Sequence, residues 1–291
     1  RAGVKPLYYY FKDNIFLFGS EIKAFHQHPQ FKKELSNDAV AAFLKLGFIP
    51  SPNTIFNNCH KLDAGNILIY DLLSNSFELR KYWQINTFFN HPKNQGSEES
   101  ILADIESLLV SSFKYRMVSD VPVGIFLSGG YDSSTVAAVL QANSSTPINT
   151  FSIGFNESSF NEAPYAKEIA KHIGSQHNEF YCSISDAREL VSMIPKVYDE
   201  PFGDSSAIPT LLLSKMASNK VKVVLSGDGG DELFCGYGKY YNNFTEFNKI
   251  AELNGVKKDI LKNLIKLLIR SGVTDKLPDL LAHKILKAKN V

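Results

Sequence analysis

The stretch Ile125-Phe126-Leu127-Ser128-Gly129-Gly130-Tyr131-Asp132-Ser133-Ser134-Thr135-Val136-Ala137 passes from an apolar strand pattern through two glycines into a helical pattern. Such a turn leaves backbone N–H groups unpaired at the positive end of a helix and lets the chain approach an anion closely, so it reads as a phosphate cradle. A strand-Gly-Gly turn that binds nothing is the plain alternative. The loop lacks the Gly-Lys-Ser/Thr ending of the nucleotide-binding P-loop and carries Asp132 where that loop places positive charge. A carboxylate beside a polyphosphate calls for a cation between them, and Mg2+ is held in this way by one or two carboxylates and phosphate oxygens. Asp132 is therefore a candidate metal ligand or, more plainly, a capping acid at a helix start.

Around this stretch the pattern alternates. Helices are predicted over 99–115, 134–142, 162–173, 186–198 and 208–218, and strands over 121–127, 149–155, 177–182 and 221–225. This is the pattern of an α/β fold, a Rossmann-like parallel sheet with helices on both faces. A second stretch, Leu225-Ser226-Gly227-Asp228-Gly229-Gly230-Asp231-Glu232-Leu233-Phe234, again follows an apolar strand with glycines and acids at its carboxyl end. Ligands of doubly wound folds sit in the crevice outside the carboxyl ends of the strands. Both loops can thus face one site and supply Asp132 and Asp231 as a carboxylate pair for Mg2+. Alone, the second loop reads equally as a calcium-like turn or a solvated acidic loop.

Upstream, residues 6–20 are rich in aromatic and β-branched side chains, with Asp13-Asn14 as hairpin-turn chemistry between two strands. A helix is expected over 38–47, capped by Asn37 or Asp38 and ended by Gly47, and a strand over 66–72. Residues 86–100 are polar and aperiodic, which marks a linker. The chain accordingly divides into an α+β layer over 1–85, a linker over 86–100 and the α/β domain over 101–291. Beyond Gly238, Ile260, Leu261, Leu264, Ile265, Leu267, Leu268 and Ile269 form an apolar set among basic residues, read as a helix packed on its own domain. A membrane-surface or partner helix is the other reading.

With 31 Lys+Arg against 30 Asp+Glu, the formal charge is +1, which argues against a nucleic-acid binder held by a basic surface and leaves small molecules as the expected partners. Cys59, Cys182 and Cys235 stand far apart without metal-ligand spacing, which fits a reducing, cytoplasmic compartment. No apolar run reaches the roughly 20 residues of a membrane span, and no signal-peptide core opens the chain. The sequence begins at Arg1 rather than methionine, so it reads as a fragment or a processed product.

The motifs SGGYDSS (128–134), TFSIGF (150–155), YDEPFGDSSAIPT (198–210) and LSGDGGDELFCGY (225–237), preceded by RAGVKPLYYY (1–10), GSEIKAF (19–25) and TIFNNCHKLDAG (54–65), resemble the glutamine-dependent asparagine synthetase family. The resemblance runs in the right order over nearly the whole chain. It implies the last part of an Ntn-hydrolase-type glutaminase domain followed by a synthetase domain of the ATP pyrophosphatase type. There ATP is cut between its α and β phosphates, AMP passes to a substrate carboxylate, and ammonia displaces AMP to leave an amide.

Carried over by position, Ser128, Gly129, Gly130, Asp132 and Ser133 form the pyrophosphate loop, with Asp132 on Mg2+. Phe126 or Leu127 and Ile153 line the adenine pocket, and Ser226 and Gly227 hold the ribose or α-phosphate. Asp231 is the second metal ligand, and Asp228 stands where the family keeps an acid near the acyl-adenylate, placed to take a proton from the attacking ammonium. Glu200, Asp204 and Ser205 are candidates to touch the acceptor, with helix-start chemistry as an equal explanation. The implied substrates are ATP, aspartate or another carboxylate, and ammonia from glutamine, with a homodimer left open.

The chain also departs from the family's pattern. No residue matches the glutaminase nucleophile, so the chain is expected not to hydrolyse glutamine. No lysine after Lys239 matches the family's adenylate-contacting segment, and Lys257, Lys258 and Lys284 read as surface residues. Cys235 stands where glycine or alanine is usual, and reads as a small buried thiol. Aspartate is the expected acceptor, a sugar (uronic) acid is the alternative, and a non-catalytic nucleotide-binding scaffold is the reading from another class.

Overall fold

The computed structural model describes residues 1–157 and 161–251. The apolar set from Ile260 to Ile269 and Lys257, Lys258 and Lys284 lie outside the described residues. Backbone contacts gather Arg1–Ser226 into one compact unit and the chain from Gly227 into a second.

The first unit begins with a hairpin, β1 (Tyr8–Lys12) against β2 (Ile15–Gly19), registered Lys12↔Ile15. Asp13 and Asn14 both take positive φ, 52° and 62°, as a two-residue turn matched to strand twist requires. A short strand missing from the sequence reading, β3 (Cys59–Lys61), pairs with the other edge of β1. Tyr10, Ile22, Phe25, Phe31 and Cys59 bury their side chains beneath it. Helix α1 (Asn37–Leu46) starts one residue before the expected 38, and its N-cap is Ser36 rather than Asn37 or Asp38, the Ser36 Oγ accepting from Ala39 N at 3.3 Å. Strands β4 (Asn66–Asp71) and β5 (Ser76–Lys81) form a second hairpin, joined to the first by Phe16 stacked on Tyr70 and by the edges of Phe77 against Tyr9 and Phe11.

The expected linker is partly ordered. A 3-10 turn occupies Ile85–Asn90, and α2 (Glu98–Met117) starts inside the span, with Ser97 Oγ accepting from Ser100 N.

The second layer of the unit is a parallel sheet in the order β8-β7-β6-β9. Its strands are β6 (Val123–Phe126), β7 (Asn149–Phe155), β8 (Gln176–Cys182) and β9 (Val223–Leu225), connected through α3 (Tyr131–Ala142), α4 (Ala163–Ile173), α5 (Ile184–Val191), α6 (Ile194–Val197) and α7 (Ala207–Ala217). Successive strand residues point to opposite faces, so each face has its own core. Ile125, Val136, Leu140, Ala166 and Ala170 pack on the side of α3 and α4, and Phe151, Leu213, Ala217 and Val221 on the side of α7. The parallel sheet with helices on both faces is the architecture expected from the alternation.

The helix expected over 186–198 is two. A turn at Ser192 and Met193 separates α5 from α6, which opens with Pro195 in its first turn, where a missing N–H costs nothing. No helix among the described residues is long and apolar enough to cross a membrane. The second unit carries α8 (Gly230–Phe234) and α9 (Gly238–Ala251).

Candidate nucleotide-binding site

Strand order places a switch point at β6, whose neighbours β7 and β9 lie on its two sides, so that the sheet grows one way through β7 and β8 and the other way through β9. Ile125 registers with Leu225, so the turn after β6 and Ser226 leave the sheet from neighbouring carboxyl ends.

The turn after β6 is braced from within. Gly129 has φ +91°, and a Cβ on it would stand 2.9 Å from Tyr165 Cβ and 3.0 Å from Ala166 N, so α4 closes directly on this glycine. Ser133 Oγ, buried, accepts from Ser128 N at 3.1 Å and lies 3.0 Å from Ser128 Oγ. Gly130 N donates to Ser128 Oγ at 3.3 Å, and Ser134 Oγ donates to Gly130 O at 2.6 Å. Gly130 is the N-cap of α3, which therefore starts three residues before the expected 134. Asp132 and Ser133 consequently lie in its first turn, where backbone N–H groups have no intrahelical acceptor and a negative charge is favoured. Asp132 is half-buried there.

Of the residues expected at the adenine, Leu127 is 1 % exposed and its side chain is part of the sheet's core, while its N–H donates to Phe151 O at 2.8 Å. What it can offer a ligand is its carbonyl. Phe126 and Ile153 are half-buried on the opposite face, packed on Phe151 and its neighbours.

In the second unit, Gly229 takes φ +93° at the start of α8, and Gly230 N donates to Gly227 O at 3.2 Å. Asp231 and Glu232 occupy the first turn of α8. Asp231 is half-buried and Asp228 exposed. The Tyr237 hydroxyl donates to Glu232 Oε1 at 3.1 Å, and this bond raises the phenol's pKa.

Glu200 and Asp204, expected near the acceptor, have protein partners. Glu200 Oε1 accepts from Ile55 N at 2.7 Å, and Oε2 pairs with Lys61 Nζ at 2.8 Å. Its neighbour Asp199 accepts from Ile22 N at 2.5 Å and pairs with Lys23 at 3.2 Å. Gly203 N adds a bond to Gly47 O at 2.8 Å. The 199–203 segment is thus stitched to the first layer. Asp204 Oδ1 accepts from Ser206 N at 2.8 Å, just before α7, and that bond lowers its pKa; Ser205 is exposed.

A cavity of about 380 Å3 opens beside the stitched segment, lined by Tyr8, Ser20, Glu21, Lys61, Tyr198 and Glu200 among others. Burial, then the charges of Glu200 and Asp199, push the Tyr8 phenol up to about 12. Lys61, Asp199 and Tyr8 were not singled out in the sequence. Their motifs were in view, but nothing local marks a lysine in strand β3 as the partner of a glutamate beyond the sheet.

Two family models match the chain: one described as asparagine synthase over residues 104–288, the other as a glutamine amidotransferase domain over residues 1–83. Among curated proteins, the chain is 41% identical over 271 residues to the putative asparagine synthetase (glutamine-hydrolyzing) 2 of Methanocaldococcus jannaschii, covering 92% of this chain and 49% of that protein. It is 32% identical over 268 residues to asparagine synthetase (glutamine-hydrolyzing) 1 of Bacillus subtilis, covering 89% and 40%. The chain thus spans about half the length of these relatives or less. Superposition on the glutamine-dependent NAD+ synthetase of Acinetobacter baumannii gives a TM-score of 0.36 at 19% identity, over 63% of this chain and 32% of that one, too low to bear on the site.

Proposed function

The chain belongs to the asparagine synthase family, and on that premise we propose that it supplies the ATP-dependent step of carboxylate amidation. ATP is cut between its α and β phosphates, AMP passes to the carboxylate with release of pyrophosphate, and ammonia displaces AMP to give the amide. The relatives' names favour aspartate as acceptor. The match over residues 1–83 favours glutamine as the nitrogen source of the intact protein. Three unpaired cysteines fit a cytoplasmic setting.

The observation that carries this reading is the 128–130 turn between β6 and α3. A positive-φ glycine, serine braces and the open first turn of a twelve-residue helix make a rigid nest of N–H donors at the carboxyl end of a central strand. In the proposed pose the nest takes the phosphates through N–H groups of Gly129 and the first turn of α3, the bare backbone of Gly130 lets the phosphates approach, and Ser133 holds Ser128 in place. Apolar side chains of Phe126 and Ile153 and the Leu127 carbonyl face the base, and Ser226 and Gly227 take the ribose or α-phosphate. Asp228 is proposed as the acid near the acyl-adenylate that accepts a proton from ammonium.

Mg2+ fits the donors on offer. Asp132 and Asp231 are hard oxygen ligands, each half-buried in the first turn of a helix. Mg2+ on a polyphosphate takes one or two protein carboxylates and leaves the rest of its shell to phosphate oxygens and water, a share that these two acids could supply. When bound, the ion would offset charge developing on the α–β bridging oxygen. Phosphorus NMR of a reaction with ATP, aspartate and ammonia tests the bond assignment. AMP and pyrophosphate in step with asparagine are expected; ADP and inorganic phosphate would overturn it.

A further inference from the structure

The chain after α8 turns back on the acid in that helix's first turn. Cys235 takes the left-handed conformation, φ 57° and ψ 36°, and its N–H and that of Gly236, at 3.1 Å, both donate to the carbonyl of Asp231. The fold-back lays Gly236 against the Asp231 side chain. A Cβ at 236 would overlap Asp231 Oδ1 and stand 3.1 Å from its Cγ, so the carboxylate occupies the volume any side chain at 236 would need. Tyr237, next in the turn, donates its hydroxyl to Glu232 and so commits the neighbouring acid. Gly238 differs: a Cβ there meets nothing within 4 Å.

We infer that Gly236 is a positioning residue, whose missing side chain sets the orientation of the Asp231 carboxylate for metal binding. The inference rests on the reading of Asp231 as a Mg2+ ligand. A methyl group at 236 drives the carboxylate out of its place while leaving the ligand atoms themselves in the chain. Partners that orient a metal ligand without touching the metal typically account for 10–100-fold in affinity.

The test is direct metal binding to the full chain, read from the free Mn2+ signal in electron paramagnetic resonance with α,β-methylene-ATP present. Asp231→Ala and Gly236→Ala are each expected to weaken Mn2+ binding by tenfold or more, Gly238→Ala to leave it unchanged, and Asp231→Ala/Gly236→Ala to bind no more weakly than Asp231→Ala. Parent-like binding by Gly236→Ala beside weak binding by Asp231→Ala overturns the inference alone. Parent-like binding by Asp231→Ala removes the metal-ligand reading and the inference with it. If Gly236→Ala lowers the melting temperature, the loss is expected to vanish in the Asp231→Ala background, where the overlapping oxygen is gone; a loss that persists there overturns the inference.

Discussion

Lys61 Nζ and the Glu200 carboxylate meet at 2.8 Å, joining strand β3 of the first layer to the segment that precedes α7. Both side chains are largely shielded, 22% and 12% exposed, and Glu200 takes a second bond from Ile55 N. Whatever Glu200 does toward an acceptor, it does from a tethered position. Removing one partner of a buried pair strands the other charge, at a cost of roughly 3–5 kcal/mol when burial is complete. Lys61→Met and Glu200→Ala should each lower the urea midpoint by an amount equivalent to about 2–4 kcal/mol, and the double variant by less than their sum. Additive losses would show that the pair is not coupled.

Gly129 and Gly174 separate two costs. Both take positive φ, but a Cβ at Gly174 meets nothing within 4 Å, whereas one at Gly129 runs into α4. Gly174→Ala should cost about 1–2 kcal/mol, the left-handed strain alone. Gly129→Ala should cost roughly 2–4 kcal/mol by adding overpacking, and should weaken nucleotide binding. Equal losses in denaturant titrations would contradict the close approach of α4.

Cys235 was expected to be a small buried thiol, but it is exposed, and it holds the left-handed C-cap of α8. That conformation explains why glycine suits the position. Cys235→Gly should raise stability by about 1 kcal/mol, measured as a higher melting temperature. A drop would mean that the thiol makes a compensating contact.

The His177 ring lies between Thr150 Oγ1, 2.9 Å from Nδ1, and Ser152 Oγ, 3.1 Å from Nε2, on the sheet between β7 and β8. Burial lowers its pKa and outweighs the raising effect of Glu179, and Lys167 on α4 adds a smaller lowering effect. The folded chain therefore binds fewer protons than the unfolded chain just below the ordinary histidine value of about 6.5. The stability this group contributes is complete above that pH and is lost as pH falls below it. Melting temperature should decline from pH 7 to pH 5, and His177→Gln should make the decline shallower. An unchanged slope would assign the effect to other groups.

Much of the frame was legible because it is written in local terms. The Asp13-Asn14 turn, the positive-φ Gly47 that ends α1, and the strand and helix periods of the α/β layer each depend on residues close in sequence. Strand β3 was not legible, since three residues reading Cys-His-Lys become a strand only by pairing with β1. Strand β5, largely exposed, has too polar a sequence to announce itself, and is held by its partner β4. The early start of α3 was missed because Gly130 caps it without a side chain.

At the candidate site, the two glycine turns and the acids at the helix starts that follow them could be named from glycine and carboxylate spacing. The brace from Ser133, the approach of Tyr165 to Gly129 and the tether of Glu200 could not, because each depends on how distant or successive elements pack.

The measurement closest to the central claim is the exchange of labelled pyrophosphate into ATP, with Mg2+ and aspartate present and ammonia absent. Exchange that needs aspartate, and that falls at least a hundredfold in Asp132→Ala, is the result expected of reversible AMP transfer through the turn after β6. Exchange supported only by a uronic acid would replace the acceptor; no exchange with either acid would contradict the synthetase account.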